Sequence, residues 1–300
     1  MSENSYNFNR FFKFLNTLSI ILVIISVLLL IFKGLNYGID FKGGTLIEVR
    51  SNDSQINTTN LRNSLIKMNI GDVNVKKFGS DNDFLIKFEK KDNNNKNLIK
   101  QVKNELIKSV GSEIDFRRVE NVGPKVSAEL LKSGVIAIAT SLAAMLLYIW
   151  IRFEWQFSIG AIAALFHDVL LTLGIFSLFS LEINLSIVAA ILTIVGYSMN
   201  DTVVIFDRVR ENLIKFSDIK IFDLTNLSIN ETLSRTIITS LTTLLALISI
   251  FIFGGEILRG FSLAMILGVV FGTYSSIYIA NPILILLKVN QKTILKEDNS

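Results

Sequence analysis

Long apolar runs alternate with short polar connections along most of this chain. Six of them approach or exceed the length of about 20 residues that an α-helix needs to cross hydrocarbon. They cover Phe14 to Phe32, Gly134 to Ile151, Phe157 to Ser180, Leu185 to Phe206, Ile237 to Phe253 and Phe261 to Leu287. The pattern predicts an α-helical polytopic membrane protein: a polar N-terminus (1–13), one span (14–32), a polar insert (38–132), a five-helix bundle (134–287) and a polar tail (288–300).

Inside the insert the period changes. Thr45, Ile47 and Val49 alternate with Leu46, Glu48 and Arg50, as in a half-buried strand. Phe84, Ile86 and Phe88 repeat that spacing, as do Ile114 and Phe116, and Val73 with Val75 suggests a fourth strand. Leu61, Leu65 and Met68 fall at helical spacing, and so do Ile99, Val102, Leu106 and Val110, each run preceded by Asn or Thr suited to capping. The expected order is βαββαβ, a ferredoxin-like α+β module, which is diagnostic of no single function. Asp92-Asn93-Asn94-Asn95 reads as a turn, and Gly123-Pro124 as the end of the module and the start of a helix, Lys125 to Lys132, leading into the second span.

Positive residues in short loops stay on the cytoplasmic side. Arg10 and Lys13 precede the first span, Arg152 separates the second and third, and Arg208, Arg210, Lys215, Lys220 and Arg235 lie between the fourth and fifth. Lys288, Lys292 and Lys296 follow the last, whereas the opposite loops (181–184 and 254–257) carry Glu182 and Glu256 and no cation. Both termini are expected in the cytoplasm and 38–132 outside it. No small-residue cleavage site follows the first span, so it reads as an uncleaved anchor. Half of all residues are hydrophobic and mean hydropathy is +0.50, which agrees with the membrane class. The net charge of +4 is then the cytoplasmic rim rather than a nucleic-acid surface, and the lack of cysteine excludes disulfides and thiolate chemistry.

Nothing here suggests an enzyme. The chain has no phosphate-cradling GxxxxGK[ST] motif, one histidine, and no Ser-His-Asp grouping outside the membrane, so no catalytic residues, cofactor or metal site are expected. Work must come from a partner or from an ion gradient, where one charge crossing 100 mV releases about 2.3 kcal/mol. The polar inventory within the spans is His167, Asp168, Asn200, Asp201 and, at the entry to the fifth, Arg235. A charge at such depth costs about 2.5–3.5 kcal/mol on insertion scales and by default marks a functional site facing a bundle interior or water.

Asp201 shares a helical face with Tyr197, Ser198 and Ile205, and Arg235, Thr239 and Thr242 form a polar stripe on the fifth span. If the stripes face each other, the guanidinium favours the carboxylate when near and leaves a protonatable acid when withdrawn. The alternative is a static buried ion pair. His167 and Asp168 are a candidate relay, or a structural pair bonded to neighbouring helices. Gly268 and Gly272, followed by Thr273, Ser275 and Ser276, suit close helix packing.

These residues carry a resemblance covering nearly the whole chain. The stretches are Gly38-Ile39-Asp40-Phe41-Lys42-Gly43-Gly44-Thr45, Val122-Gly123-Pro124-Lys125-Val126-Ser127 and Phe166-His167-Asp168. To them are added Val195-Gly196-Tyr197-Ser198-Met199-Asn200-Asp201-Thr202, Phe206 through Asn212, and Ser234-Arg235-Thr236 through Thr243. In order and spacing they resemble the SecD/SecF family of protein-export membrane proteins, of the resistance-nodulation-division superfamily. The resemblance implies half of a twelve-span complex in the bacterial inner membrane, paired with SecD and assisting the SecYEG channel and the SecA motor. Exported preproteins and the insertase YidC are further implied partners. It also implies use of the proton-motive force, or of sodium in some lineages, with Asp201 and Arg235 at the family's proton-pathway positions and Asn200 beside them. The competing readings are a proton-coupled small-molecule antiporter of the same superfamily and a scaffold of the translocon without a motor role.

Overall fold

The computed structural model describes residues 6–51, 58–78, 80–88, 95–110, 114–216 and 219–295. The chain divides into two compact units, one formed by Tyr37–Val135 and the other by residues up to Asn36 together with those from Ile136 onward. Elements follow in the order α1 (Phe12–Phe32), β1 (Asn36–Tyr37), α2 (Ile39–Lys42), β2 (Gly44–Ser51), α3 (Thr58–Ile66), β3 (Val73–Phe78) and β4 (Ser80–Phe88). Then come α4 (Asn95–Val110), β5 (Ile114–Val122), α5 (Pro124–Arg152), α6 (Trp155–Leu178), β6 (Glu182–Ile183), α7 (Leu185–Lys215) and α8 (Ile221–Phe253). The chain closes with α9 (Gly255–Ser275), a π-helical turn (Ser276–Ala280), α10 (Asn281–Leu286) and α11 (Gln291–Leu295).

In the smaller unit the order β2-α3-β3-β4-α4-β5 forms one antiparallel sheet with strands arranged β3-β4-β2-β5. This is the split βαβ arrangement that the alternating pattern predicts. Ile47, Val49, Val73, Val75, Phe84, Ile86 and Phe88 present one apolar face, and Leu61, Leu65, Val102 and Leu106 cover it from α3 and α4. Register is fixed by Ile47 opposite Ile86 and Val49 opposite Phe84, because a slip of one residue would turn the apolar set to the other side. At the strand ends Arg50 holds Asp83 through two hydrogen bonds of 2.6 and 2.7 Å. Of the turn expected at 92–95, residues 92–94 lie outside the described residues and Asn95 is the first residue of α4.

Gly43 and Gly44 join α2 to β2. Gly43 has φ of +79°, a region L side chains avoid, and a Cβ there would sit 3.3 Å from Ser127 Oγ and 3.4 Å from the Val122 carbonyl. The first turn of α5, opened by Pro124, therefore packs directly on the glycine pair.

Among the described residues six helices are long and apolar enough to cross a membrane: Phe8–Phe32, α5, α6, α7, α8 and Leu258–Leu286. They coincide with the six apolar runs, but two of them outgrow the pattern. α7 continues to Lys215 and α8 starts at Ile221, nine residues past and sixteen before the apolar runs that predicted them. The extra turns zip together with polar contacts that hydropathy cannot register. Asn212 Nδ2 donates to Ser228 Oγ (3.0 Å) and Glu231 Oε2 (2.7 Å), and Arg208 Nε donates to the same Glu231 oxygen at 2.7 Å. The N-terminal segment is tied to that extension: Tyr6 N–H and Phe8 N–H donate to the side-chain oxygens of Asn230 and Asn226. Likewise, α5 runs unbroken from Pro124 to Arg152 rather than as a short leader followed by a span.

The last span departs most from expectation. Instead of one α-helix it widens to a π turn at Ser276–Ala280. Pro282 has no N–H and its ring crowds the carbonyl four residues back, which disrupts the α ladder there. Asn281 Nδ2 donates to the Ser276 carbonyl at 2.7 Å and satisfies one of the groups so released.

Candidate functional site

The buried polar groups of the membrane unit gather where α6, α7, α8 and α9 meet. α7 enters through an N-cap, Asn184 Oδ1 accepting from Ile187 N–H at 3.1 Å, and its inward face reads Ile187, Ile191, Ile194, Ser198, Asp201, Thr202 and Ile205. The apolar stripe thus turns polar for one turn only. That turn can lie against α9 because α9 has no side chains there. A Cβ on Gly268 would fall 2.2 Å from Ile194 Cγ1, and one on Gly272 would fall 3.0 Å from Ser198 Cβ. The glycine pair serves close packing, and its consequence is to bring Thr273, Ser275 and Ser276 within hydrogen-bond reach of α7 and α6.

Two carboxyl centres result. Asp168 is fully buried: its Oδ1 lies 2.9 Å from His167 Nδ1, and its Oδ2 accepts from Ser198 Oγ (2.6 Å) and Ser275 Oγ (2.8 Å). One acid thereby ties α6, α7 and α9 together. The His167 ring stacks on Tyr274 with centroids 5.8 Å apart, while its buried Nε2 has no hydrogen-bond partner among the described residues. Tyr274 in turn donates to the Leu15 carbonyl at 2.9 Å and lies 2.7 Å from Ser19 Oγ, which links α1 to the cluster. Asp168 thus bonds to serines of two neighbouring helices, and His167 bonds to Asp168 on its own helix.

Asp201, 4% exposed, is the second centre and faces the bundle interior. Its Oδ2 accepts from Ser240 Oγ of α8 at 3.3 Å, and Ser240 shares a 2.7 Å hydrogen bond with Thr273 Oγ1 of α9. At the next residue of α7, Thr202 Oγ1 lies 2.9 Å from Ser276 Oγ. A chain of hydroxyls therefore lines the acid on the α8 and α9 sides, a set of groups able to donate to a carboxylate or accept from a carboxylic acid.

The face of α8 that meets Asp201 carries Thr236 and Ser240, not the expected stripe of Arg235, Thr239 and Thr242. Thr239 and Thr242 bond back to carbonyls of their own helix, at Arg235 and Ile238. Arg235 is exposed and within electrostatic reach of Asp201, yet among the described residues it forms no ion pair with it. The supposed close contact is thus open in this structure, since the side chain leaves from the adjacent face of the helix. Asn200 also lies on the exposed face of α7, away from the acid next to it, as the 100° step between neighbours in a helix requires. Tyr197 is nearer the cluster, its hydroxyl donating to the Thr239 carbonyl and to Thr243 Oγ1 at 3.2 Å each. Ser240 was the residue that spacing missed: a lone serine in an apolar span carries almost no signal until its helix is rotated into place.

Comparison with known proteins follows the same residues. The family described as protein export membrane protein SecD/SecF, C-terminal, matches residues 102–290, and the SecD/SecF GG motif matches residues 28–54, which contain the Gly43-Gly44 pair. The protein translocase subunit SecF of Rickettsia bellii is 47% identical over 281 residues, covering 93% of this chain and 92% of its own. The corresponding subunit of Cereibacter sphaeroides is 44% identical, covering 91% and 86%, and that of Vibrio alginolyticus 41% identical, covering 98% and 93%. Among solved structures, the translocon-associated SecDF of Thermus thermophilus superposes on 95% of this chain with a TM-score of 0.85 and 34% identity. A SecDF structure in a super-membrane-facing form gives 0.72 and 32% over the whole chain. This chain spans 39% of the length of the first SecDF chain and 41% of the second. With a family match across most of its length and relatives of this identity, the chain belongs to the SecD/SecF family of protein-export membrane proteins.

Proposed function

We propose that this chain is the SecF-type half of a SecDF complex in the bacterial inner membrane, pairing with a SecD subunit and promoting protein export with energy from the proton-motive force. The curated relatives it matches nearly end to end are translocase SecF subunits, which supports that reading. Both termini then face the cytoplasm and the ferredoxin-like module lies outside, a placement that the distribution of Lys and Arg supports. SecYEG, SecA, exported preproteins and YidC are the partners this role entails.

The observation that carries the coupling is Asp201: one carboxyl group, almost wholly buried, facing hydroxyls contributed by two other helices. Protonated, it is a neutral member of a hydroxyl network. Ionised, it needs a countercharge, and Arg235, exposed one turn before Thr239 on α8, can supply it by a modest rotation of that helix. Proton binding and release would then be tied to the packing of α7 against α8. Transfer of one proton across 100 mV yields about 2.3 kcal/mol, enough to shift a two-state packing equilibrium roughly fiftyfold.

The test is gradient-stimulated export in inverted vesicles containing the complex. Asp201→Asn and Arg235→Met are expected to insert and pair with SecD normally, to leave the ATP-driven basal export intact, and to remove the stimulation. Full retention of stimulation by Asp201→Asn refutes the coupling and leaves the scaffold role.

A further inference from the structure

The buried hydroxyls of α8 fall on one line. Thr225, Ser228, Thr232, Thr236 and Ser240 follow one another at three- and four-residue intervals, none more than 9% exposed, and so share one face of the helix. At one end Ser240 Oγ donates to Asp201 Oδ2. At the other, Ser228 Oγ accepts from Asn212 Nδ2, which also donates to Glu231 Oε2, and Glu231 is 29% exposed. The line has one gap. Thr225, Ser228 and Thr232 donate to carbonyls of their own helix and Ser240 to Asp201, whereas the buried Thr236 Oγ1 has no hydrogen-bond partner among the described residues. Buried hydroxyls rarely stay unpaired, and ordered water is a common partner where other polar groups are near. We propose that Thr236 binds a buried water, and that the stripe so completed is the cytoplasmic limb of the proton route, carrying the proton of Asp201 to Glu231.

The inference rests on the coupling proposed above and adds its path. Four residues of helix rise about 6 Å. That is too far for a direct bond of about 2.8 Å between two hydroxyls and close to the span of two such bonds in line, so one water suits each gap. A hydroxyl donates once and accepts twice, which lets it take a proton from one neighbour and release its own to the next. One proton then leaves the Asp201 carboxyl, one arrives on the Glu231 carboxylate, and no link between them keeps a charge. Arg235, on the exposed side of α8, lies off this line. The other hydroxyls beside Asp201, those of Thr202 and Ser276, lead instead to Asn281 and then to Leu284, which is 0% exposed.

The experiment measures proton flux under an imposed gradient in vesicles holding the intact complex with SecD and a trapped pH-sensitive dye. Thr236→Val keeps the side chain's shape, removes only the hydroxyl, and should slow the flux about tenfold, the weight of one buried hydrogen bond on a transition state. Thr232→Val should act likewise, and so should Glu231→Gln, which still accepts from Asn212 but takes up no proton. Thr236→Ser should restore the flux, and Thr242→Val, whose exposed hydroxyl bonds only its own helix, should leave it unchanged. Wild-type flux in Thr236→Val overturns the proposal, as does a loss in Thr236→Ser as large as in Thr236→Val. If Asp201→Asn stops the flux while Thr236→Val does not, the path is wrong and the coupling stands; if Asp201→Asn leaves the flux intact, the coupling itself fails. The water is read on the unaltered complex: radicals made from bound water by an X-ray pulse should label the peptide 228–240. An unlabelled peptide overturns the proposal even where a variant fails to assemble.

Discussion

Replacing Gly268 with alanine adds one methyl group at one of the tightest crossings in the bundle. The new Cβ would lie 2.2, 2.6 and 2.9 Å from Cγ1, Cδ1 and Cγ2 of Ile194, a residue 1% exposed and so without room to swing aside. Alanine gains about 1 kcal/mol of helix propensity over glycine. Overpacking of this kind costs about 1–3 kcal/mol, so the steric effect is expected to win and Gly268→Ala to destabilise the bundle. All three clashing atoms belong to the Ile194 side chain. Ile194→Ala removes them, and although alone it opens a cavity, in the double variant the methyl introduced by Gly268→Ala fills part of it. The pair should therefore be coupled by about 1–3 kcal/mol in the favourable direction. The assay is a double-mutant cycle by reversible denaturant titration of the purified complex in mixed micelles, with the wild type and both single variants measured together. Additivity within about 0.5 kcal/mol would show that the two helices are not in contact at this depth, and the derivation of the polar cluster from that contact would fall with it.

Three further outcomes are expected. Gly43→Ala, forced to φ of +79° and crowded by Ser127 and the Val122 carbonyl, should raise protease cleavage within 37–135 while leaving insertion of the spans unchanged; wild-type resistance would contradict the role given to the glycine pair. Arg50→Met should weaken the same unit equally at pH 7 and pH 10. The hydrogen bond to Asp83 raises the guanidinium above its ordinary range, so the bonded form persists at every pH below the unfolded value, and a deficit that vanished by pH 10 would refute the pairing. Asn212→Ala removes the donor that joins α7 to Ser228 and Glu231, and amide exchange over 207–231 should accelerate severalfold, whereas no change would mean that apolar contacts alone close that hairpin.

Much of this architecture is legible in the chain. The six spans follow from apolar length, because only a helix satisfies its own backbone in hydrocarbon, and the βαββαβ order follows from two periods, 2 and 3.6, that the side chains of Ile47, Phe84, Leu61 and Val102 display directly. The cost of burying a carboxyl likewise picks out Asp168 and Asp201 without coordinates. Rotation of each helix about its axis was not legible, since polar Ser and Thr are cheap anywhere in a span. It turned Ser240 rather than Arg235 toward Asp201, left Asn200 outside, and assigned Ser198 and Ser275 to Asp168. The extension of α7 and α8 beyond the apolar runs was hidden for the opposite reason: its stability comes from contacts between two helices, which a period within one helix does not encode.

The sequence by itself determined how many helices are long and apolar enough to cross the membrane, where the α+β module is inserted and which acids need an explanation, for these depend on transfer free energies that each residue carries alone. Only the tertiary structure decided which groups those acids meet. That depends on Gly268 and Gly272 admitting α7 to within contact and on Pro282 widening the last span, both of which set distances between residues far apart in the chain.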